Sequence, residues 1–246
     1  MEKKRADLAL FESGLCDSRN RAATLIKKGL VRYNGRPLTK PSEELDPTGE
    51  FSLAEGAALD VSRAGEKLRA AKAAFGFDTE GKVFADIGAS TGGFTQCLLD
   101  GGAVRVYAVD VGRDQLHPSL RRDSRVVNME GVNARSLCRA DFPERIDGAV
   151  MDVSFISQTL IYPALADILP SGAPLVTLVK PQFEVGRENV GKNGIVKDKN
   201  GSLAEAVFLK LRLAARDEGF SFERVIPSPI KGSKGNTEYL ALLYRI

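Results

Sequence analysis

Three observations predict an α/β chain: a Rossmann-like, mostly parallel sheet closed by a C-terminal antiparallel hairpin, behind a small α+β module. From about Lys82 onward, short apolar runs alternate with helical segments. Strands separated by helices pair in parallel through right-handed crossovers. A glycine-rich turn follows the first of those runs, where such sheets bind ligands at their carboxyl ends. The charge balance also reverses ahead of this region. Residues 1–42 hold Lys3, Lys4, Arg5, Arg19, Arg21, Lys27, Lys28, Arg32, Arg36 and Lys40 against Glu2, Asp7, Glu12 and Asp17. Residues 43–60 hold six acidic residues and no base, with Pro41, Pro47 and Gly49 at the junction. A composition shift with turn residues marks a boundary. The expected division is 1–60, a basic module with an acidic turn-rich end; 61–81, a linker and leading helix; and 82–246, the α/β domain.

In the module, residues 6–11 open a short helix that stops near Gly14. Asp17 or Ser18 can cap a second helix that ends at Gly29. Val31-Arg32-Tyr33 alternates as a strand does, and Asn34-Gly35 favours a two-residue hairpin turn. The second helix carries Arg19, Arg21, Lys27 and Lys28, so a basic face lies beside a hairpin. Farther on, strands are predicted at 83–87, 104–109, 126–128, 148–151 and 175–179. Helices are predicted at 94–99, near 115–121, at 157–169 and at 203–215. The stretches 222–226 and 239–244 read as the closing hairpin.

Composition narrows the function classes. The net charge is only +3, so any nucleic-acid footprint has to be local. Cys16, Cys97 and Cys138 are odd in number and lack C-x-x-C spacing, which predicts neither a disulfide framework nor a metal cluster. With a single histidine, His117, no metal site or Ser-His-Asp triad is expected. The apolar run after the charged start covers only Leu8 to Phe11, too short for a signal peptide. No apolar stretch approaches the roughly 18 residues of a membrane helix. A reducing, cytoplasmic setting is expected, and membrane binding is not indicated.

The sharpest motif runs from Val83 to Phe94: a buried strand ending at Asp86, then Gly88-Ala89-Ser90-Thr91-Gly92-Gly93 opening a helix. Its glycines do not sit at G-x-G-x-x-G, and no Walker lysine follows them. A second strand ends at Asp110, placed where a carboxylate takes ribose hydroxyls. A neutral sugar wants a carboxylate there, whereas a pyrophosphate wants amides and bases. The pattern therefore favours S-adenosyl-L-methionine over a dinucleotide, against the alternative of a tight turn with no ligand. Asp152 and Lys180 end the fourth and fifth strands, over the same turn. Lys192 to Lys199 form a basic loop, either an RNA-contacting lid or a solvated segment.

With Glu238 in Gly235-Asn236-Thr237-Glu238-Tyr239 and Lys67 in Glu66-Lys67-Leu68, these residues resemble the Lys-Asp-Lys-Glu tetrad of FtsJ-like RNA ribose 2′-O-methyltransferases. The N-terminal module resembles an RNA-binding domain shared by a small-subunit ribosomal protein and pseudouridine synthases. The two in this order resemble the TlyA family, whose members carry both rRNA 2′-O-methyltransferase and hemolysin names. The resemblance implies a class I methyltransferase domain that uses S-adenosyl-L-methionine. It implies ribosomal RNA or ribosomal subunits as partner, with no DNA. It assigns catalysis to Lys67, Asp152, Lys180 and Glu238. The cofactor falls to Asp86, Gly88, Ser90, Gly92, Gly93, Phe94, Asp110, Val111, Glu130 and Asn133. RNA falls to Arg5, Arg19, Arg21, Lys27, Lys28, Arg32 and Arg36. Lys180 is the candidate general base if burial and the like charge of Lys67 favour its neutral form; Asp152 and Glu238 would orient the lysines and hold the hydroxyl, and as carboxylates they oppose that lowering. The alternatives are a non-catalytic RNA-binding or ribosome-assembly protein, and a cytolysin.

Overall fold

The structure is a computed structural model and describes residues 3–16, 18–54, 61–198 and 201–246. The chain divides into two compact units, 1–59 and 60–246.

The first unit holds β1 (Lys4–Arg5), α1 (Ala6–Glu12), α2 (Arg19–Lys27), β2 (Val31–Tyr33), β3 (Arg36–Leu38), β4 (Glu44–Leu45) and β5 (Phe51–Leu53). Ser18 caps α2 by accepting from the Arg21 amide; Asp17, the other expected cap, lies outside the described residues. The Asn34-Gly35 turn joins β2 to β3 with Tyr33 opposite Arg36, as the dipeptide predicts. β5 adds a third strand on the other edge of β2, and β1 pairs with β4. Neither pairing is local, and both partners are too short for a periodic signal. Leu10, Leu25, Ile26, Val31 and Leu38 form the core between the helices and the three-stranded sheet.

The second unit opens with α3 (Ala64–Phe75), ended by Gly76 in the left-handed region. Then follow β6 (Val83–Ile87), α4 (Gly93–Asp100), β7 (Arg105–Asp110), α5 (Pro118–Arg121), β8 (Val126–Glu130), β9 (Gly148–Met151) and α6 (Tyr162–Ile168). β10 (Pro174–Val179), α7 (Pro181–Glu184), α8 (Ser202–Asp217), β11 (Phe220–Pro227) and β12 (Tyr239–Arg245) complete the unit. The seven strands run in the order β11-β12-β10-β9-β6-β7-β8. All neighbours from β10 to β8 are parallel, while β12 is antiparallel to both β10 and β11.

Alternation along each strand divides the core in two. Phe84, Val106, Val150, Val176 and Leu242 face α3, α4 and α5. Ala85, Ile87, Val109, Met151, Leu175 and Leu243 face α6 and α8. Helices on both faces are what a parallel sheet requires, since neither face can meet water.

Two expected helices differ. The single helix expected over 157–169 is a 3₁₀ turn at Gln158–Leu160 followed by α6. Pro163 in the first turn of α6 has no amide to continue the ladder from the preceding turn. The helix expected near 115–121 shrinks to α5, because the Gln115 and Leu116 amides donate to Glu130 Oε1 instead. His117 turns out to cap α5, with Nδ1 accepting from the Ser119 amide.

Candidate active site

The site forms where β6, β7, β9 and β10 end together. β6 is buried along its length and delivers the chain to Gly88, whose φ is +82°. A Cβ there would lie 2.6 Å from the Asp152 carbonyl oxygen, so the end of β9 can approach only a glycine. Ser90 also sits at positive φ, and its amide donates to Asp110 Oδ2 at 2.8 Å. Asp110 Oδ1 accepts from the Gly112 amide at 2.7 Å. The carboxylate at the end of β7 thus braces the glycine turn while lining the cavity beside it.

Gly92 and Gly93 have packing reasons of their own. Cβ atoms there would collide with Leu120 and with Ser62, just ahead of α3. Asp86 is fully buried beneath the turn and accepts from Thr95 Oγ1 at 2.6 Å. Burial pushes its carboxyl up to about 7 against the Thr95 hydrogen bond, with the nearby Asp152 charge adding to the rise.

Three cavities meet here. One, of about 340 Å³, is lined by Lys67, Gly88, Ser90, Phe94, Asp152, Ser154, Lys180, Lys231 and Glu238. A second, of about 460 Å³, runs over the ends of β6 and β7 past Asp110, Val111, Gln115 and Asn133. The third, of about 390 Å³, lies past Lys180 toward Phe155, Gln182, Phe183 and Asn236. Volumes of this size suit small-molecule sites.

Lys67, Asp152, Lys180 and Glu238, which lie far apart in sequence, therefore share one cavity wall. They form two ion pairs. Lys67 Nζ donates to Glu238 Oε2 at 2.6 Å, with the side chains 12% and 4% exposed. Lys180 Nζ lies 2.6 Å from Asp152 Oδ1, with the side chains 12% and 17% exposed. The angles of that second pair are not those of a hydrogen bond. Lys180 donates instead to Ser154 Oγ at 2.7 Å.

The remaining expected cofactor residues separate. Val111 is exposed and lines the larger cavity with Asn133, whose side chain accepts from the Arg135 amide. Glu130 is withdrawn into the protein. It accepts from the Gln115 and Leu116 amides and the Asn128 side chain, and pairs with Arg121 at 2.8 Å. Burial opposes its ionisation, but those hydrogen bonds and Arg121 outweigh it and hold the carboxyl down at about 2.

Sequence reasoning passed over several residues. Ser154 and Phe155 follow Asp152; Phe155 is 91% exposed at positive φ, with its ring 4.9 Å from that of Phe183. Buried Glu184, just past Lys180, accepts from Ser157 Oγ and the Gln158 amide and pairs with Lys210. It ties the loop after β9 to the turn after β10. Asn236 anchors the basic loop through Val196 N and Gly194 O, so that loop is docked beside Glu238; Lys199 lies outside the described residues. Only a nearby strand end marked these positions in the sequence.

In the first unit Arg5, Arg19, Lys27, Lys28, Arg32 and Arg36 are exposed and Arg21 is half-buried. Buried Asp7 pairs with both Arg5, at 2.9 Å, and Arg19, at 3.2 Å. Arg36 pairs with Glu43. The hydrogen bond from Arg5 is the main reason that the Asp7 carboxyl lies below the ordinary carboxylate range.

A parallel sheet covered on both faces, a glycine turn braced by the next strand's carboxylate and a reversed last strand define a Rossmann-like methyltransferase. The chain belongs to the FtsJ-like methyltransferase family, whose model matches residues 61–245, and an S4 domain model matches residues 4–50. It is 42% identical over 242 residues to the 16S/23S rRNA (cytidine-2′-O)-methyltransferase TlyA of Mycobacterium tuberculosis, covering 98% of this chain and 90% of that one. It is 42% identical over 238 residues to hemolysin A of Brachyspira hyodysenteriae, covering 96% of this chain and 98% of that one. A solved structure from Streptococcus thermophilus, described as a hemolysin, superposes with a TM-score of 0.73 at 46% identity over 100% of this chain and 89% of that one. No helix among the described residues is long and apolar enough to cross a membrane.

Proposed function

We propose that the protein transfers a methyl group from S-adenosyl-L-methionine to the 2′-hydroxyl of a ribose in ribosomal RNA, in the cytoplasm. The observation that carries this reading is the meeting of two lysines and two carboxylates on one wall, beside a cavity edged by Asp110. The cofactor would lie along Gly88, Ser90, Asp110, Val111 and Asn133, with Asp110 toward its ribose. When bound, it supplies an electrophilic methyl carbon on a sulfonium.

A ribose hydroxyl is a weak nucleophile until its proton leaves. Lys180 takes that proton as general base, while Asp152 holds the amine in place. Lys67 and Glu238 flank the acceptor and fix its orientation, which contributes through alignment. Glu130 acts indirectly, by holding the 115–116 segment against the cofactor cavity. Phe155 and Phe183 offer an apolar wall suited to an unstacked base. Arg5, Arg19, Arg21, Lys27, Lys28, Arg32 and Arg36 would bind RNA phosphates with a salt-sensitive affinity.

The test is transfer of labelled methyl groups from the cofactor to purified ribosomal subunits. Incorporation that requires the protein and its cofactor supports the reading. Tight subunit binding with no transfer supports a non-catalytic RNA-binding protein instead.

A further inference from the structure

We infer that Ser154 is a positioning residue for the methyl transfer: its hydroxyl holds one hydrogen of Lys180 so that the amine's lone pair faces the acceptor ribose. The inference rests on Lys180 being the general base. Three observations carry it. Among the described residues Ser154 is the one shared by all three cavities, so it stands where donor and acceptor spaces join. Its Oγ accepts from Lys180 Nζ at 2.7 Å. Asp152 Oδ1 lies 2.6 Å from the same nitrogen without hydrogen-bond angles, so the ion pair alone leaves the amine's rotation unset.

A neutral lysine amine has two hydrogens and one lone pair. Two acceptors, Asp152 and Ser154, stand within reach of it. The hydrogen bond to Ser154 fixes one hydrogen and with it the rotation, the Asp152 charge holds the nitrogen in place, and the lone pair is left for the 2′-hydroxyl. The proton leaves the ribose oxygen for Nζ, whose lone pair forms the new N–H bond. The oxygen forms its bond to the methyl carbon as the carbon–sulfur bond breaks, and that electron pair leaves with a neutral thioether. The third hydrogen of the resulting ammonium is the one taken from the ribose. Without Ser154 the amine still pairs with Asp152, but it rotates freely and presents its lone pair for only part of the time.

The experiment is a double-mutant cycle on the full-length protein, read as single-turnover methyl transfer, with affinities for the cofactor and for ribosomal subunits measured beside it. Ser154→Ala is expected to slow transfer roughly tenfold, about the worth of one hydrogen bond, with both affinities unchanged. Ser154→Thr, which keeps the hydroxyl, is expected to recover most of the rate. In a Lys180→Ala background Ser154→Ala is expected to add nothing, because it acts through that amine. An unchanged rate in Ser154→Ala, beside a crippled Lys180→Ala, overturns the inference and leaves the base assignment standing. So does an equal further loss in the Lys180→Ala background, since that marks a general disturbance of the loop. Near-normal transfer by Lys180→Ala overturns the base assignment, and this inference with it.

Discussion

The two ion pairs of the site have the same chemistry and the same 2.6 Å separation, yet their surroundings differ. Lys67 and Glu238 come from α3 and the segment just before β12, and they close on each other with a true hydrogen bond. Lys180 and Asp152 come from adjacent parallel strand ends; their contact lacks those angles, and the lysine is shared with Ser154. A buried pair that satisfies itself is held in one state, because separating the charges costs desolvation. A pair that leaves an amine incompletely held has a group to spare for a substrate. In the proposed reaction the first lysine, with its carboxylate, holds and orients, and the second moves the proton, although the sequence shows only four charged residues.

The largest effect that could break this comparison is on rate. Lys180→Ala is expected to lower single-turnover methyl transfer by roughly 10²–10⁴, the usual worth of a general base, with cofactor affinity unchanged. Equal losses in Lys67→Ala and Lys180→Ala, in proteins of equal stability, would erase the distinction between the pairs.

The next effect is on stability. Glu238→Ala leaves Lys67 buried without its partner and is expected to destabilise the second unit by about 3–5 kcal/mol. Asp152→Ala, which removes a less buried carboxylate and whose lysine keeps Ser154 as an acceptor, is expected to cost less. Denaturant midpoints of the two variants, measured side by side, sharpen or remove the contrast.

A smaller effect separates the visible site from the carboxyl beneath it. Asp86 holds its proton up to about pH 7 in the folded protein, well above the ordinary carboxylate value. The stability that comes from keeping it neutral is fully present below that ordinary value and is lost as pH rises toward about 7. Asp86→Asn is expected to flatten this decline, seen as a smaller loss of stability between about pH 5 and about pH 8 than in the unmodified protein. An identical decline in both proteins would place the ionised form of Asp86 in the native state throughout.

Much of the second unit was readable because its signals are local. Buried strands show as apolar runs, and the Gly88 turn shows as glycine between a strand and a helix. Asp110, Asp152 and Lys180 stand out because each ends such a run. Several features depend on distant partners and leave no pattern. The β1–β4 pairing joins two-residue strands forty residues apart. Asp7 reads as a helix residue until Arg5 and Arg19 close on it. Glu130 fits the expected cofactor contact by position, but the amides of 115 and 116 claim its oxygens, and the same bonds shorten the helix expected there. Ser154 is one serine in a loop until Lys180 arrives from the next strand. Lys67 and Glu238 carry no local signal either; a resemblance, not periodicity, singled them out.

The most direct test of the central claim is the position of the transferred methyl group. Ribosomal subunits treated with the full-length protein and labelled cofactor can be digested to nucleosides and separated. The account predicts label in a 2′-O-methylated nucleoside, abolished or sharply reduced with Lys180→Ala. Label on a base, or equal ribose labelling by Lys180→Ala, would contradict it.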